Sequence, residues 1–336
     1  MLRSVWRDQV AAKNCYRKVR AFLPKVIFQQ KFRSKKNITF ALYTFTMKKL
    51  LYFFTFAFSL LIVFSCEPNR AENGDLLFGV GGNSGNGNTP TVSKKLKSFT
   101  VNDGTNVITY SFTYNSDGNL SKLISSDDSG NFEFFYDANK SINKISATQW
   151  DGSLTTTTNF AITYENGRFK EAKGNGSESD GTEFTHNFTA VYNNGKVSKI
   201  TSKMVGIDSA DPTVTYDLYT MVSDIAYSGN NLSTWKYTLM LPIVPLPTVE
   251  ISAAFSDFDT HINPFRQLPE VFKIIAAHLE MDSFSVTGFS ANNYGKIKIV
   301  TNSDSQTATY VYTYDADGYP TKAVAENLGT YTFQYQ

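Results

Sequence analysis

Between residues 114 and 322 the chain repeats one short pattern. A strand ends in Tyr or Phe, a polar turn follows, and a second strand opens on an apolar residue, often with Lys close behind. The first copies are Tyr114-Asn-Ser-Asp-Gly118-Asn-Leu120-Ser-Lys122, Tyr136-Asp-Ala-Asn-Lys140-Ser-Ile142-Asn-Lys144, Tyr164-Glu-Asn-Gly167-Arg-Phe169 and Tyr192-Asn-Asn-Gly195-Lys-Val197-Ser-Lys199. Three more follow: Tyr227-Ser-Gly-Asn-Asn231-Leu232, Phe289-Ser-Ala-Asn-Asn-Tyr-Gly295-Lys-Ile297 and Tyr314-Asp-Ala-Asp-Gly318-Tyr-Pro320-Thr-Lys322. Anchors of the first five copies are 22, 28, 28 and 35 residues apart, which suits one two-stranded unit per copy. Asn-Gly and Asp-Gly supply the positive φ that tight hairpin turns require, so each copy reads as a hairpin.

The strands show period two. Ile108, Tyr110, Phe112 and Tyr114 alternate with Thr109, Ser111 and Thr113, and Tyr310, Tyr312 and Tyr314 alternate with Thr309, Val311 and Thr313. One face is aromatic and the other mostly hydroxyl, the pattern of antiparallel sheet with one face packed and one wet. The expected fold is mostly all-β: seven or eight hairpins in one long meander, forming a single strongly curved or partly closed sheet over residues 94–336. Tyr331, Phe333 and Tyr335 supply a terminal strand. A transmembrane barrel also alternates, but it needs an apolar band where this chain has hydroxyls.

One segment interrupts the meander. Leu268, Phe272, Ile275 and Leu279 recur at helical spacing within residues 265–281, and Pro269 suits a first turn, so a short amphipathic helix is expected near 269–280. Its apolar stripe would plug the concave side of the sheet. Ahead of it, Pro242, Pro245 and Pro247 forbid a central strand.

The N-terminal part carries an address. Lys48 and Lys49 precede an uncharged run from Leu50 to Cys66, one residue short of a spanning helix, with a small residue, Ser65, at its end. This is the layout of a cleaved signal, residues 47–65. With Val63 three positions before Cys66, the segment resembles a bacterial lipobox, which implies acylation of Cys66 and anchoring in a membrane. Glu67 after the cysteine implies, by the same resemblance, the outer membrane. Residues 66–93 then form a Gly- and Asn-rich tether; roughly 25 such residues span on the order of 25 to 30 Å. Residues 1–46 fit a lipoprotein poorly and are expected to be a non-native extension ahead of a true start at Met47. The rival reading is a transit peptide, since they hold eleven Lys and Arg and one acid.

Charge narrows the partners. Residues 1–65 hold thirteen of the 32 Lys and Arg and one of the 30 acids, leaving 19 basic against 29 acidic residues from Cys66 onward. Such an acidic body repels phosphate backbones, so nucleic acid is not an expected partner.

The Tyr-Asp-x-x-Gly turns resemble the YD repeats of Rhs-type proteins. Phe258-Asp259-Thr260-His261-Ile262-Asn263-Pro264-Phe265 resembles the aromatic-Asp-x-Lys-x-Asn-Pro-aromatic signature of a family of secreted bacterial lipoproteins of unknown function, with His261 where that family has Lys. The resemblance implies a membrane-tethered β-sheet protein and carries over no catalytic residue. From the residues themselves, Asp259 can cap a turn, Pro264 biases Asn263 to extended geometry, and Phe258 and Phe265 can pin the loop to the sheet. The functional alternative makes Asp259, His261 and Asn263 a polar cluster at the mouth of the sheet, a candidate binding site with Phe258, Pro264 and Phe265.

Catalytic and metal signatures are sparse. The three histidines are His186, between Phe184 and Phe188 in an alternating strand, His261, and His278 in the expected helix. No Gly-x-Ser-x-Gly elbow, Walker loop or zinc spacing occurs, and no cofactor is implied. Asp315-Ala-Asp317-Gly318 has the opening of a calcium loop, with Glu326 at position twelve, but its glycine comes fourth rather than sixth. Glu133, Glu165, Glu183 and Asp224 could converge as a hydrolytic pair, although no spacing selects one. The expected function is therefore a non-enzymatic envelope module that binds a protein or an extracellular glycan, with Trp150 and Trp235 as possible sugar platforms. The alternatives are a carrier or chaperone for a lipid or hydrophobic segment, and a two-acid hydrolase.

Overall fold

The computed structural model describes residues 94–242, 249–279, 284–301, 304–325 and 328–336. The signal segment, Cys66, the tether, Pro245, Pro247 and Glu326 lie outside the described residues.

Sixteen strands form an antiparallel meander in chain order. They are β1 (Leu96–Asn102), β2 (Val107–Tyr114), β3 (Leu120–Ser125), β4 (Asn131–Tyr136), β5 (Ile142–Trp150), β6 (Thr155–Glu165), β7 (Arg168–Glu178) and β8 (Glu183–Asn193). The second half is β9 (Lys196–Ile207), β10 (Thr215–Ser228), β11 (Asn231–Met240), β12 (Val249–Ser256), β13 (Lys296–Thr301), β14 (Asp304–Tyr314), β15 (Pro320–Ala325) and β16 (Gly329–Tyr335). The sheet goes beyond the partial closure expected: β1 pairs with β16, setting Phe99 opposite Phe333 and Val101 opposite Tyr331, and the barrel is closed. Closure removes both sheet edges, which would otherwise present unpaired main-chain groups.

The turns follow their local chemistry. Asn166-Gly167 and Asn194-Gly195 all have positive φ, as a two-residue hairpin turn with primed geometry demands. The sixth copy does not form the expected hairpin. Phe289 follows a helix instead of ending a strand, and β12 and β13 pair across an excursion of residues 257–295. Its described residues, 257–279 and 284–295, enter the lumen. Among these described residues are a 3-10 turn, Pro264–Gln267, and two helices, α1 (Glu270–Ala276) and α2 (Phe284–Thr287).

The alternation expected from the sequence points inward as aromatic and aliphatic and outward mostly as hydroxyl and charge, with Ile124, Phe135, Trp150, Val191, Val311 and Val324 as exposed apolar exceptions. Phe99, Tyr110, Phe132, Phe160, Phe188, Tyr310 and Tyr331 are buried in one core with Phe265, Phe272 and Phe284 of the excursion. Phe272 meets Phe132 and Phe134 edge-on at 5.2 and 5.4 Å, and Phe265 meets Phe99 at 5.1 Å. The outer wall carries cross-strand pairs such as Lys122–Glu133 (2.5 Å), Lys203–Asp217 (2.8 Å) and Lys236–Glu250 (2.6 Å), all about half exposed. A membrane-spanning barrel requires the opposite arrangement, with its apolar band outside.

The helix differs from expectation in two ways. It is shorter, with Pro269 standing just before its first turn, and every residue from Val271 to Ala276 is buried. Past Glu270, which stays exposed at the rim, the helix runs into the lumen and is enclosed all round rather than striped. This encloses Lys273, whose Nζ donates to the carbonyls of Gly288 (3.1 Å) and Arg266 (3.3 Å) and lies 5.3 Å from the Phe289 ring. Burial lowers its pKa from 10.5 to about 8. Between those values the unfolded chain binds more protons than the folded one, so stability rises with pH across that window. Measured by denaturant unfolding from pH 7.5 to 10.5, the stability of the native chain relative to Lys273→Met should rise by up to about 3 kcal/mol; a flat difference would contradict this burial.

A candidate binding groove at the barrel rim

The repeated tyrosines share one geometry. The ladder slips at Tyr114, Tyr136, Tyr164, Tyr192, Tyr227 and Tyr314, where each pairs with an apolar first or second residue of the next strand. A bulge of this kind bends the strand and re-aims a side chain. Here it lets the phenol reach back to the preceding hairpin. Tyr114 donates to the carbonyl of Leu96 (2.9 Å), Tyr136 to Leu120 (2.6 Å), Tyr164 to Ile142 (2.9 Å) and Tyr227 to Val197 (3.0 Å). The terminal Tyr335 does the same to Pro320 (2.8 Å). Two members answer to the excursion instead: Tyr192 donates to Glu270 Oε1 (2.6 Å) and Tyr314 to Asp259 Oδ2.

Between this ladder and the excursion runs a groove of about 400 Å³. One wall holds Tyr114, Tyr136 and Tyr164 with the turn residues Asn119, Lys140 and Ser141; the other is Pro264 and Gln267–Val271. Burial raises the Tyr114, Tyr136 and Tyr164 phenols to about 12, so they remain protonated donors. Glu270 is exposed, and its charge adds to burial in raising Tyr164, Tyr192 and Tyr227, which places it among three consecutive anchors. Arg168 lies 5.3 Å from the Tyr192 ring. The groove thus joins aromatic surface to polar groups of both signs, a composition suited to orienting a polar ligand.

The motif singled out in the sequence lies beside this groove and is absorbed largely by its own loop. Asp259 Oδ1 accepts from the backbone amides of His261 (3.0 Å) and Asn293 (3.1 Å), while Oδ2 accepts from Asn293 Nδ2 (3.1 Å) and the Tyr314 hydroxyl. Burial pushes the Asp259 carboxyl above its ordinary value, against the opposing pull of those donors. The His261 ring stacks on Tyr314, centroids 3.8 Å apart. Asn263 is buried away from both; it caps the 3-10 turn by accepting from Phe265 N (2.9 Å) and donates to the Thr287 carbonyl (2.7 Å). Phe258 sits edge-on to Tyr294, Phe265 is in the core, and Pro264 alone of the six lines the groove.

The remaining sequence candidates separate. His278 is buried between Ser223 Oγ (2.8 Å) and Ser202 Oγ (2.9 Å), and His186 is buried beside Phe188; burial lowers both to about 3, so both are neutral. Glu133, Glu165 and Asp224 are engaged with Lys122, Lys170 and Lys199 on the exterior, and Glu183 is exposed on β8, so these four do not converge. Asp315 Oδ1 accepts from the amides of Asp317 and Tyr319, and Lys94 bridges the Asp315 and Asp317 carboxylates at 2.7 and 2.5 Å, which is turn chemistry. Trp235 is core, while Trp150 is 44% exposed on the wall. Glu270 and Gln267 escaped the sequence reading because only the path of the excursion brings them to the rim; the one available signal was the recurrence of Tyr at each hairpin.

No protein-family model and no curated protein matches the chain. Among solved structures, a porin-like protein from Bacteroides vulgatus is similar at 11% identity and a TM-score of 0.49, over 73% of this chain and 99% of that one. A porin-like protein from Bacteroides uniformis is similar at 16% identity and a TM-score of 0.42, over 72% and 96%. Likenesses of this size assign no function.

The Asp259 contacts make a separable prediction. Asp259→Ala strips acceptors from buried donors and should cost about 2 to 4 kcal/mol, and Tyr314→Phe about 1 kcal/mol, in denaturant unfolding. Equal, negligible losses would show that the loop is held by its aromatic residues alone.

Proposed function

We propose that this protein is a lipid-anchored binding module of the bacterial envelope, acylated at Cys66, held at the outer membrane by residues 67–93, and without catalytic activity of its own. The observation that carries the binding reading is a filled lumen beside an open groove. Aromatic side chains of the excursion occupy the interior that a conducting or lipid-carrying barrel would leave clear, whereas the rim groove is polar, aromatic and accessible. The polar outer wall supports a domain held in water on a tether rather than one embedded in lipid. The ligand is an envelope protein or an extracellular glycan.

Two measurements test the two halves of this reading. Intact mass of the protein from its native membrane should begin at an acylated Cys66, and Cys66→Ala should release it from the membrane; a mass that retains residues 1–65 or lacks acyl groups overturns the anchor. A photo-crosslinking residue at position 267, at the groove, should capture an envelope component that the same residue at outward-facing position 189 does not. No adduct at 267 would overturn the binding role.

A further inference from the structure

Resting on that binding reading, we propose that the rim groove holds a neutral, linear glycan whose sugar rings lie on Tyr114, Tyr136 and Tyr164. The argument starts from their spacing. These tyrosines occupy the same position in three consecutive hairpins, each at a bulge and each donating to the strand-opening carbonyl of the hairpin before it. Equivalent positions lie two strands apart, about 10 Å along the rim. A regular row of aromatic surfaces suits a ligand that is itself regular, and a polysaccharide repeats its apolar ring faces along its length.

The chemistry of the row points the same way. With the three hydroxyls committed to main-chain carbonyls, the rings are held in place before any ligand arrives, and such preorganisation lowers the entropic cost of binding. Opposite them, Gln267 and Glu270, with Asn119 and Ser141 beside the rings, offer hydrogen-bonding groups to a ligand rich in hydroxyls. The bordering charges are of both signs and already engaged. Lys140 lies 3.5 Å from Asp117, Lys95 Nζ donates to the Gly118 carbonyl (2.7 Å), and Glu270 accepts from Tyr192. That balance favours a neutral chain over an anionic one.

The test is titration of the full-length chain, in mild detergent, with neutral linear gluco- and xylo-oligosaccharides of increasing length, α- and β-linked. Affinity for at least one series should climb with length until the oligomer spans two tyrosine intervals, roughly 20 Å, and then level off. Tyr136→Ala should weaken that binding at least tenfold, while Tyr136→Phe, which keeps the ring, stays within threefold. Because Tyr136→Ala also breaks a hydrogen bond of the fold, Gln267→Ala on the opposite wall provides a second reading and should weaken binding several-fold. Failure of every series to bind, or binding indifferent to Tyr136→Ala and Gln267→Ala alike, overturns the proposal. A protein adduct at position 267 together with no oligosaccharide binding would overturn the glycan and leave the binding module standing.

Discussion

Sixteen strands closed on themselves enclose more volume than their own inward side chains can fill. Eight strands make a barrel whose interior is just packed, whereas sixteen leave room for a channel. In this chain the inward faces are Phe, Tyr, Leu and Ile, which water cannot fill favourably, so the barrel depends on a second apolar body inside it. Residues 257–279 and 284–295 supply that body. Phe265, Phe272 and Phe284 stand in the lumen against Phe99, Tyr110 and Phe132, and the wall and the excursion form one core.

Threading that segment has consequences at the rim. The excursion leaves and re-enters at the end of the barrel where the tyrosine bulges lie, and two anchors bond to it, Tyr192 through Glu270 and Tyr314 through Asp259. The ladder that staples hairpin to hairpin therefore also staples the wall to its contents. Where Tyr114, Tyr136 and Tyr164 keep their main-chain partners, wall and excursion stand apart and leave the groove. Lys273 shows the opposite outcome of enclosure: a charged side chain carried into the lumen, held by two carbonyls and a ring, with burial lowering its pKa.

Much of the scaffold was legible because its signals are local. Asn166-Gly167 and Asn194-Gly195 specify a turn through allowed φ values, and the alternation around Tyr110 and Phe112 identifies the buried face through the two-residue period of a strand. Phe289 misled because its polar Asn-Asn-Tyr-Gly successor matches a hairpin turn, although the residues before it form α2 and supply no strand. Of the Asn-Pro motif, the capping role of Asn263 and the turn role of Asp259 follow from residue type. That Asp259 accepts from Tyr314 does not, since the two are 55 residues apart in the chain.

Apart from the Phe289 copy, the strands, their turns, the buried and exposed faces and an apolar segment with a stripe to bury are legible in the sequence, because each depends on steric and hydrophobic preferences within a few residues. That β1 meets β16, that Val271 to Ala276 of α1 are all buried, and that Gln267 and Glu270 arrive opposite three tyrosines follows only from the folded chain. Those outcomes depend on closure and on how the enclosed volume is filled, and both are set by contacts between residues far apart in the chain.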